Sequence, residues 1–357
     1  MFRIRMLPAE YGDCLWVEYG SARATYRILI DAGTLPAYKG VRAAIEELKE
    51  GERRFHLFLV THIDLDHIDA AVRLLQSPSL NLRLDRIWFN GWTQLLDKDV
   101  LGPQQGEYLS ALIGEQKIPW NRSFQGGAVF ARASGRLRRI RLPGGMMLTV
   151  LAPGPVELSD LRAQWKKIMG KQAGDAKAAL RKLAAAARYR DVLGAPNALD
   201  VRALADSATT NDKSVPNGSS IVVLAEYDDK RCLFAADSRP DILESAVDRL
   251  LRTTKQDRLQ LDACKVPHHG SKHNNTTALI QKLNCRKFLI STNGRKFDHP
   301  HPEAIARIIR YGGPRAELYF NYDTDQTRQW KDPVLQRKFR YSVTIRPDSA
   351  RSLDIEL

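Results

Sequence analysis

The sequence predicts an α/β protein in which sheets are covered by helices, and three observations support this fold class. The chain has 357 residues, 43% hydrophobic and 27% charged, which suits a folded protein with a large core. Its first segments alternate apolar and polar residues, as half-buried strands do. Strand-like and helix-like segments then follow one another, a pattern typical of sheets packed beneath helices.

The N-terminal region predicts strands with one intervening helix. Alternating or apolar strand-like runs cover residues 2–9, 13–20, 24–33 and 54–62. Residues 41–51 have the spacing of a helix, and Gly51 provides a stop signal. A helix is also expected from 69 to 77 and a strand within 82–92. Residues 136–153 are interpreted as a hairpin that turns at Pro143, Gly144 and Gly145.

A basic helical insertion is predicted at 155–213 within a single domain, 1–357. Between residues 155 and 191 the composition changes to Ala, Lys and Arg, with nine basic and four acidic residues. A polar tail follows to about residue 213. We interpret this segment as packed on the main domain.

The strand pattern resumes after the insertion. Two strands joined at Asp228 and Asp229 are expected within 219–238, and a further strand runs into the histidine-rich loop 266–275. Helices are expected at 242–253, 277–284 and 301–312, and strands at 287–293, 316–322 and 341–348.

Metal-binding residue types cluster behind the apolar run 54–62. The stretch "LVTHIDLDHIDAAV", 59–72, places His62, Asp64, Asp66, His67 and Asp69 within eight residues. His62 and Asp64 can point one way while Asp66 and His67 point another, so one loop could serve two adjacent cations. Imidazole and carboxylate together suit zinc, manganese or iron. The alternative is a helix N-cap at Asp66, which would explain one aspartate only.

The other histidines strengthen the metal interpretation. Seven of the eight fall into three loop-like clusters, each after an apolar run: His62 and His67; His268, His269 and His273; His299 and His301. Asp237 likewise follows the apolar run 232–236, where a carboxylate could bridge two cations. A strand-end turn aspartate is the alternative for Asp237.

The ordered motifs "LIDAG", "THIDLDH", "NGSSIVV", "LFAADS", "KVPHHGS" and "FDHPHPEAI" resemble the metallo-β-lactamase fold. The closest similarity is to the branch that contains the cytoplasmic hydrolase domain of the ComEC DNA-uptake proteins. The resemblance covers about 25–305, is extended towards residue 9 by "AEYGDCLWVEY", and excludes the insertion. It implies a four-layered αββα sandwich with a metal site at one edge of two sheets.

The resemblance also implies roles for individual residues. The metal ligands would be His62, Asp64, Asp66, His67, Asp237 and, ahead of His269, His268. Asp31 would orient ligands through hydrogen bonds. The cofactor would be Zn²⁺ or Mn²⁺, as one or two ions.

Two departures from the family pattern affect this interpretation. No histidine occurs between residues 68 and 267, and Asn217 stands in the stretch where a further ligand histidine is usual. Asn217 is therefore a weak oxygen ligand or none, which favours Mn²⁺ or Mg²⁺ at that position, or half occupancy. Asp69 and Ala70 replace the usual glycines, and Asp69 is expected to stabilise the start of a helix, the alternative being that it adds negative charge near the site.

Asp66 and His299 are the candidate catalytic residues. His299 could hold a scissile phosphate or protonate a leaving oxygen, or its loop could simply cap the helix near Pro302. Candidate substrate-binding residues are Lys265, Ser271, Lys272, Trp92, Lys166, Lys167 and Arg181. Surface solvation is the alternative for the lysines and the serine, and core packing is the alternative for Trp88 and Trp92.

The chain carries 55 Lys and Arg against 41 Asp and Glu, a net charge of +14, which favours a nucleic-acid partner. Four widely spaced cysteines, no long apolar run and no leader-like N-terminus suit a cytoplasmic protein without a membrane. The sequence thus predicts a metal-dependent hydrolase, a phosphodiesterase or nuclease acting on nucleic acid. Alternatives are a small-molecule phosphoesterase, a thioester or lactone hydrolase, and a metal-poor binding subunit; a protein partner stays open.

Overall fold

Two β-sheets form the centre of the computed structural model, which describes residues 1–21, 23–95, 104–169 and 199–357. The first sheet contains, in spatial order, β16 (Leu353–Glu356), β1 (Phe2–Met6), β2 (Leu15–Ser21), β3 (Ala24–Ile30), β5 (Leu57–Leu59) and β7 (Ile87–Trp88). The second contains β15 (Ser342–Ile345), β14 (Glu317–Phe320), β13 (Leu283–Ile290), β12 (Leu259–Lys265), β11 (Lys230–Phe234), β10 (Val222–Tyr227), β9 (Met147–Ala152) and β8 (Arg139–Arg141). Strands β4 (Arg54–Phe55) and β6 (Arg83–Leu84) form a separate pair.

Helices cover the outer face of each sheet. The first sheet packs against α1 (Tyr38–Glu46), α2 (Leu65–Leu75), α3 (Gln104–Glu115) and α4 (Pro155–Met169). The second packs against α5 (Val201–Asp206), α7 (Pro240–Thr254), α8 (Thr277–Gln281) and α9 (Pro302–Tyr311). The short helices α6 (Val215–Gly218), α10 (Asp325–Arg328) and α11 (Pro333–Phe339) complete the described helices.

Alternation along the strands divides the interior into three apolar cores. Trp16 and Leu29 face the helices on the first sheet, whereas Val17 and Ile28, one position along, face the second sheet. In the second sheet Val223 likewise joins the core between the sheets, while its neighbours point to the other helices. Because side chains alternate along a strand, each sheet buries both faces. The layers are helix, sheet, sheet and helix, which confirms the predicted α/β fold class and the αββα sandwich.

The hairpin predicted at 136–153 is confirmed as β8 and β9. Helix α2 begins at Leu65, four residues before the predicted start at 69. Helices α3, α10 and α11 and strand β16 were not predicted. Strands β14 and β15 extend the second sheet in parallel, and β16 pairs with β1 in the first.

The beginning of the basic insertion is helical, as predicted. Helix α4 buries Leu158, Leu161 and Trp165 against the first core. The predicted helical residues 170–191 lie outside the described residues. The polar tail contains α5, whose Asp200 side chain accepts hydrogen bonds from the backbone N–H groups of Arg202 and Ala203.

Parallel strands bring several loops to one edge of the sandwich. Strands β3 and β5 are parallel in the first sheet, and β11, β12 and β13 are parallel in the second. Their carboxyl ends therefore meet at a common edge within each sheet, the usual place for ligand-binding loops. The Ile221 N–H donates a 2.9 Å hydrogen bond to the Thr61 carbonyl and joins the two sheets there.

The described helices are each too short or too polar to cross a bilayer. The four cysteines are buried and free.

Candidate metal centre

The loop after β5 brings His62 and Asp64 to this edge. The His62 ring is buried, with Nδ1 3.0 Å from Thr61 Oγ1, and its Nε2 has no hydrogen-bond partner among the described residues. Asp64 occupies the N-cap position of α2, but its side chain makes no capping hydrogen bond. Asp66 lies in the first turn and is buried. A helix cap therefore explains neither aspartate.

Asp31 fixes the orientation of His67. Its Oδ1 accepts a 2.7 Å hydrogen bond from the Thr61 N–H, and its Oδ2 accepts one of 2.8 Å from His67 Nδ1. With the proton on Nδ1, the Nε2 lone pair of His67 is left to face the site. Asp31 thus has the geometry expected of a residue that orients a metal ligand.

The turn after β12 presents two successive histidines to different partners. His268 and His269 both have left-handed backbones, with φ of 45° and 53°. His269 Nδ1 donates to the Ser291 carbonyl at 2.8 Å, and His268 Nδ1 donates to Asn274 Oδ1 at 2.9 Å. Gly270 follows at φ 86°, where a Cβ would lie 2.6 Å from Pro300 Cβ. Each histidine is therefore held by its Nδ1, and its Nε2 faces the Asp237 carboxylate.

Asp237 lies at the centre of these groups. Its Oδ2 is 3.3 Å from Nε2 of both His67 and His269, and 3.6 Å from Nε2 of His268. The Nε2 atoms of His67 and His269 are themselves 3.3 Å apart. His269 Nε2 is also 3.5 Å from Asp66 Oδ2. Neutral imidazole lone pairs facing a carboxylate repel it, so this arrangement needs positive charge between the groups.

One set of ligand atoms is compact enough to hold a metal ion. Atoms of Asp13, His67, Asp237 and His269 all lie within 4.8 Å of one another, and all four residues are buried. The sequence placed His268 ahead of His269, but the structure brings His269 into this set. The reason is local: the left-handed turn directs His269 inwards, while His268 stays partly exposed.

A second set of buried atoms adjoins the first. His62 Nε2, Asn217 Oδ1 and Asp237 Oδ1 have no hydrogen-bond partner among the described residues. The Asn217 amide is oriented by Asp212, whose Oδ2 accepts from Nδ2 at 2.7 Å, leaving the amide oxygen available. Asp64 Oδ2 is 3.7 Å from His62 Nε2. Buried polar atoms without partners are costly, and a cation would satisfy all of them.

Asp13 was not singled out from the sequence. Its carboxylate lies 2.6 Å from Lys265 Nζ and 3.4 Å from His269 Nδ1. Both charged groups are almost fully buried. Lys265 is therefore not available to substrate, contrary to the predicted role, because its charge balances Asp13 inside the protein. The neighbouring Gly12 is required here, since a Cβ would lie 1.8 Å from the Asp66 carbonyl oxygen.

Asp212, from the polar tail of the insertion, was also missed. Its Oδ2 accepts hydrogen bonds from Asn217 Nδ2 at 2.7 Å and Asn274 Nδ2 at 2.8 Å, and lies 3.6 Å from His268 Nδ1. The only sequence signal was a lone aspartate in a polar segment, which is common at surfaces.

The charges around Asp237 favour a positive charge on the neighbouring histidines. Burial opposes protonation of His67 and His269, but the attraction of Asp237, with Asp31 for His67 and Asp13 for His269, outweighs it. The pKa of each imidazole is consequently raised well above its usual range. A bound cation would replace these protons.

The pKa values on the other side of the centre shift in other directions. Burial lowers the pKa of His62 to about 3, and the nearby His67 adds to this effect. Burial and the Asp66 charge raise the pKa of Asp64 to about 7. Burial and the neighbouring His268 hold the pKa of His299 well below its usual range.

A cavity of about 560 Å³ opens onto the centre. Its lining includes Asp237, His268, Ser271, Lys296, Phe297 and His299. His299 is buried, and its ring centroid is 5.2 Å from that of His268. A larger cleft of about 890 Å³ follows the C-terminal ends of α2 and α3, but its lining contains no histidine or aspartate. The candidate metal ligands therefore lie at the smaller cavity.

The remaining predicted substrate residues are dispersed. Lys272 Nζ donates to Glu303 Oε1 at 2.7 Å. Trp88 is fully buried and packs on Phe124, so it cannot stack a base. Trp92 is partly buried beside Trp165, with ring centroids 6.2 Å apart. Lys166 and Lys167 are exposed on α4, and Arg181 lies outside the described residues.

Comparisons with known proteins identify no family for this chain. No family model matches it, and no curated protein matches it. One solved structure to which it is similar is a mutant of the CmlA beta-hydroxylase, at 11% sequence identity and a TM-score of 0.41. That alignment covers 100% of this chain and 54% of the other, so the chain spans about half the length of its structural neighbour. The fold assignment accordingly rests on the layers and sheet order described above.

Proposed function

We propose that the protein is a metal-dependent phosphodiesterase whose substrate is nucleic acid. The observation that carries the proposal is the position of the Asp237 carboxylate between two sets of buried ligand atoms. Its Oδ2 faces the Nε2 atoms of His67 and His269 at 3.3 Å, and its Oδ1 is buried without a hydrogen-bond partner among the described residues. A carboxylate so placed can bridge two cations.

The donor types fit Zn²⁺ or Mn²⁺. Asp66, His67 and His269 would hold one ion, with Asp13 either a further ligand or the group that orients His269. His62, Asp64 and Asn217 would hold another, and Asp237 could contribute to both. The Asn217 oxygen favours an oxygen-tolerant cation such as Mn²⁺ there. Bound divalent ions would supply Lewis-acid polarisation of a phosphoryl group and a lower pKa for water.

The protein's own groups would position the substrate in the cavity. His299 and Ser271 line it and can donate hydrogen bonds to phosphoryl oxygens. Asp31 and the Ser291 carbonyl keep the Nδ1 protons of His67 and His269 in place, so that both rings keep their orientation during turnover.

Charge supports nucleic acid over a small phosphoester. The chain carries a net charge of +14 although its centre is rich in aspartate, so the positive charge is distributed elsewhere. Helix α4, with exposed Lys166 and Lys167, packs against α6, which holds Asn217. A phosphate backbone held by sequence-independent contacts on α4 would pass close to the centre.

The test compares wild-type protein, Asp237→Asn and Asp241→Asn on labelled single- and double-stranded DNA and RNA, with Mn²⁺, Zn²⁺ or chelator. Asp241 is a matched control because it is an aspartate paired with Arg239 near the protein surface. We expect metal-dependent cleavage by wild-type protein and Asp241→Asn, and a loss of about 100-fold or more in Asp237→Asn, because removing a carboxylate that both metal positions would use weakens metal binding and the chemistry that depends on it.

Two outcomes would contradict the proposal. Cleavage by Asp237→Asn at the wild-type rate would show that Asp237 is only a turn residue. Metal binding without cleavage of any nucleic acid would refute the nuclease proposal and favour a binding subunit or a hydrolase of another ester.

A further inference from the structure

An exposed aromatic ring lies at the mouth of the metal cavity. Phe297 is 45% exposed, and it is the only aromatic residue among the exposed large hydrophobic residues of the described chain. It lines the same cavity as Asp237 and His268. An apolar ring left in water beside a polar cavity has no role in the core, and exposed apolar surface at a cavity commonly contacts ligand.

Phe297 belongs to a group of three residues that we term the mouth group: Tyr11, Lys296 and Phe297. The Tyr11 and Phe297 ring centroids are 6.3 Å apart at 87°. Lys296 Nζ lies 4.8 Å from both centroids, within cation–π range. Lys296 also lines the cavity. The group therefore combines an exposed ring face with a positive charge.

The backbone beneath the mouth group is held in place. The Asn293 N–H donates to the Glu10 carbonyl at 2.9 Å, and Asn293 Nδ2 donates to Glu10 Oε2 at 2.7 Å. Within the turn, the Asp298 N–H donates to the Gly294 carbonyl at 3.0 Å. These bonds join the loop of Phe297 to the loop of Tyr11, so the ring is prepositioned before any ligand arrives.

We propose that Phe297 stacks a nucleobase of the substrate while Lys296 contacts the neighbouring phosphate. The inference rests on the proposed function and identifies the part of the nucleotide that the site recognises. Phe297 lies 5.7 Å from His299, ring centroid to centroid at 32°, so the aromatic surface continues into the cavity. A base at the mouth would place its phosphodiester further in. A flat base with an attached anion matches a ring beside a cation, whereas an acyl chain carries no anion for Lys296 to contact.

The experiment measures binding of two phosphorothioate oligonucleotides of equal length, six thymidines and six abasic tetrahydrofuran units, by fluorescence anisotropy. The variants are Phe297→Ala, Phe297→Trp and Lys296→Ala. Matched controls are Val334→Ala, an exposed apolar residue outside the cavity, and Lys338→Ala, whose Nζ lies 5.4 Å from the Phe339 ring. Cleavage of the abasic phosphodiester oligonucleotide is measured separately, since it needs no base.

We expect Phe297→Ala to weaken binding of the thymidine oligonucleotide by about tenfold, the size of one lost stacking contact, and to leave abasic binding unchanged. Phe297→Trp should retain the wild-type difference in affinity between the thymidine and abasic oligonucleotides, because tryptophan can also stack on a base. Lys296→Ala should weaken binding of both oligonucleotides and reduce the slope of log affinity against log salt concentration by about one unit. The inference would be overturned if wild-type protein bound the thymidine and abasic oligonucleotides with equal affinity. It would also be overturned if Phe297→Ala lost affinity for both oligonucleotides to the same extent.

The same data separate this inference from the proposed function. Abasic cleavage without base-dependent binding would refute the role of Phe297 and leave the phosphodiesterase intact. Base-dependent binding without cleavage of either oligonucleotide would refute the phosphodiesterase and leave the stacking site intact.

Discussion

At the scale of single residues, Asp13 and Lys265 form an almost fully buried ion pair beside His269, with Nζ 2.6 Å from the carboxylate. Removing one charge would leave the other buried and uncompensated, which costs far more than the pair itself contributes. Lys265→Met should therefore lower the free energy of unfolding by about 3–5 kcal/mol in urea denaturation.

Lys230→Met is the matched control for this prediction. Lys230 pairs with Asp262 at 3.1 Å at the surface, so its loss should change the free energy of unfolding by less than about 1 kcal/mol. If the two substitutions changed the free energy of unfolding equally, the buried charge of Asp13 would not depend on Lys265 for compensation. Asp13→Asn combined with Lys265→Met should recover part of the lost stability.

Most of the candidate site residues could be predicted because they follow apolar strands in sequence. His62, Asp66, His67 and Asp237 were found in this way. Asp13 could not be found, since its partners Lys265 and His269 are distant in the chain and only the fold brings them together. The order of His268 and His269 depends on backbone angles at the turn, which residue types alone do not specify.

At the scale of elements, Arg307 on α9 joins three segments of the second half of the chain. It is buried, and its guanidinium donates to the Lys272 carbonyl at 3.0 Å, the Asn275 carbonyl at 2.8 Å and the Ser207 carbonyl at 2.8 Å. Lys272 and Asn275 belong to the loop that carries His268 and His269. One side chain therefore supports the geometry of the metal centre from outside it.

Arg307→Lys should lower the free energy of unfolding by about 2 kcal/mol or more, because a lysine cannot reach all three carbonyls and leaves some buried without donors. It should also weaken Mn²⁺ binding by loosening the histidine loop. Arg310→Lys on the same helix serves as the control, and both variants can be compared by thermal unfolding with and without Mn²⁺. Wild-type metal affinity in Arg307→Lys would show that the loop does not depend on this residue.

The sequence predicted the strands that frame the site more successfully than the helices that cover it. Alternation identifies a strand with two different faces, and β1, β2 and β3 have such patterns. Helix α3 and the short helices α10 and α11 have weaker local signals and form where they can pack on existing cores. Strand β16 forms by pairing with β1, a contact that local patterns do not reveal.

At the scale of the whole molecule, charge is separated. The chain has a net charge of +14, yet aspartates surround the metal cavity. Among the described residues, Lys265 is the lysine that is buried beside these aspartates. Such a centre attracts cations. Under the proposed function, a metal ion would bind first and allow the anionic substrate to approach the aspartates.

We expect this aspartate and histidine cluster to bind divalent metal, and calorimetric titration of chelator-treated protein with Mn²⁺ and Zn²⁺ tests that most directly. We predict at least one ion per chain, with affinity that rises with pH, because the metal must displace protons from His67 and His269, whose pKa values are raised by Asp237 and their other carboxylate partners. The binding heat should therefore differ between buffers of different ionisation enthalpy. His269→Ala should abolish or strongly weaken binding, whereas His56→Gln, a histidine away from the cavity, should not. No binding in wild-type protein, or unchanged binding in His269→Ala, would contradict the account.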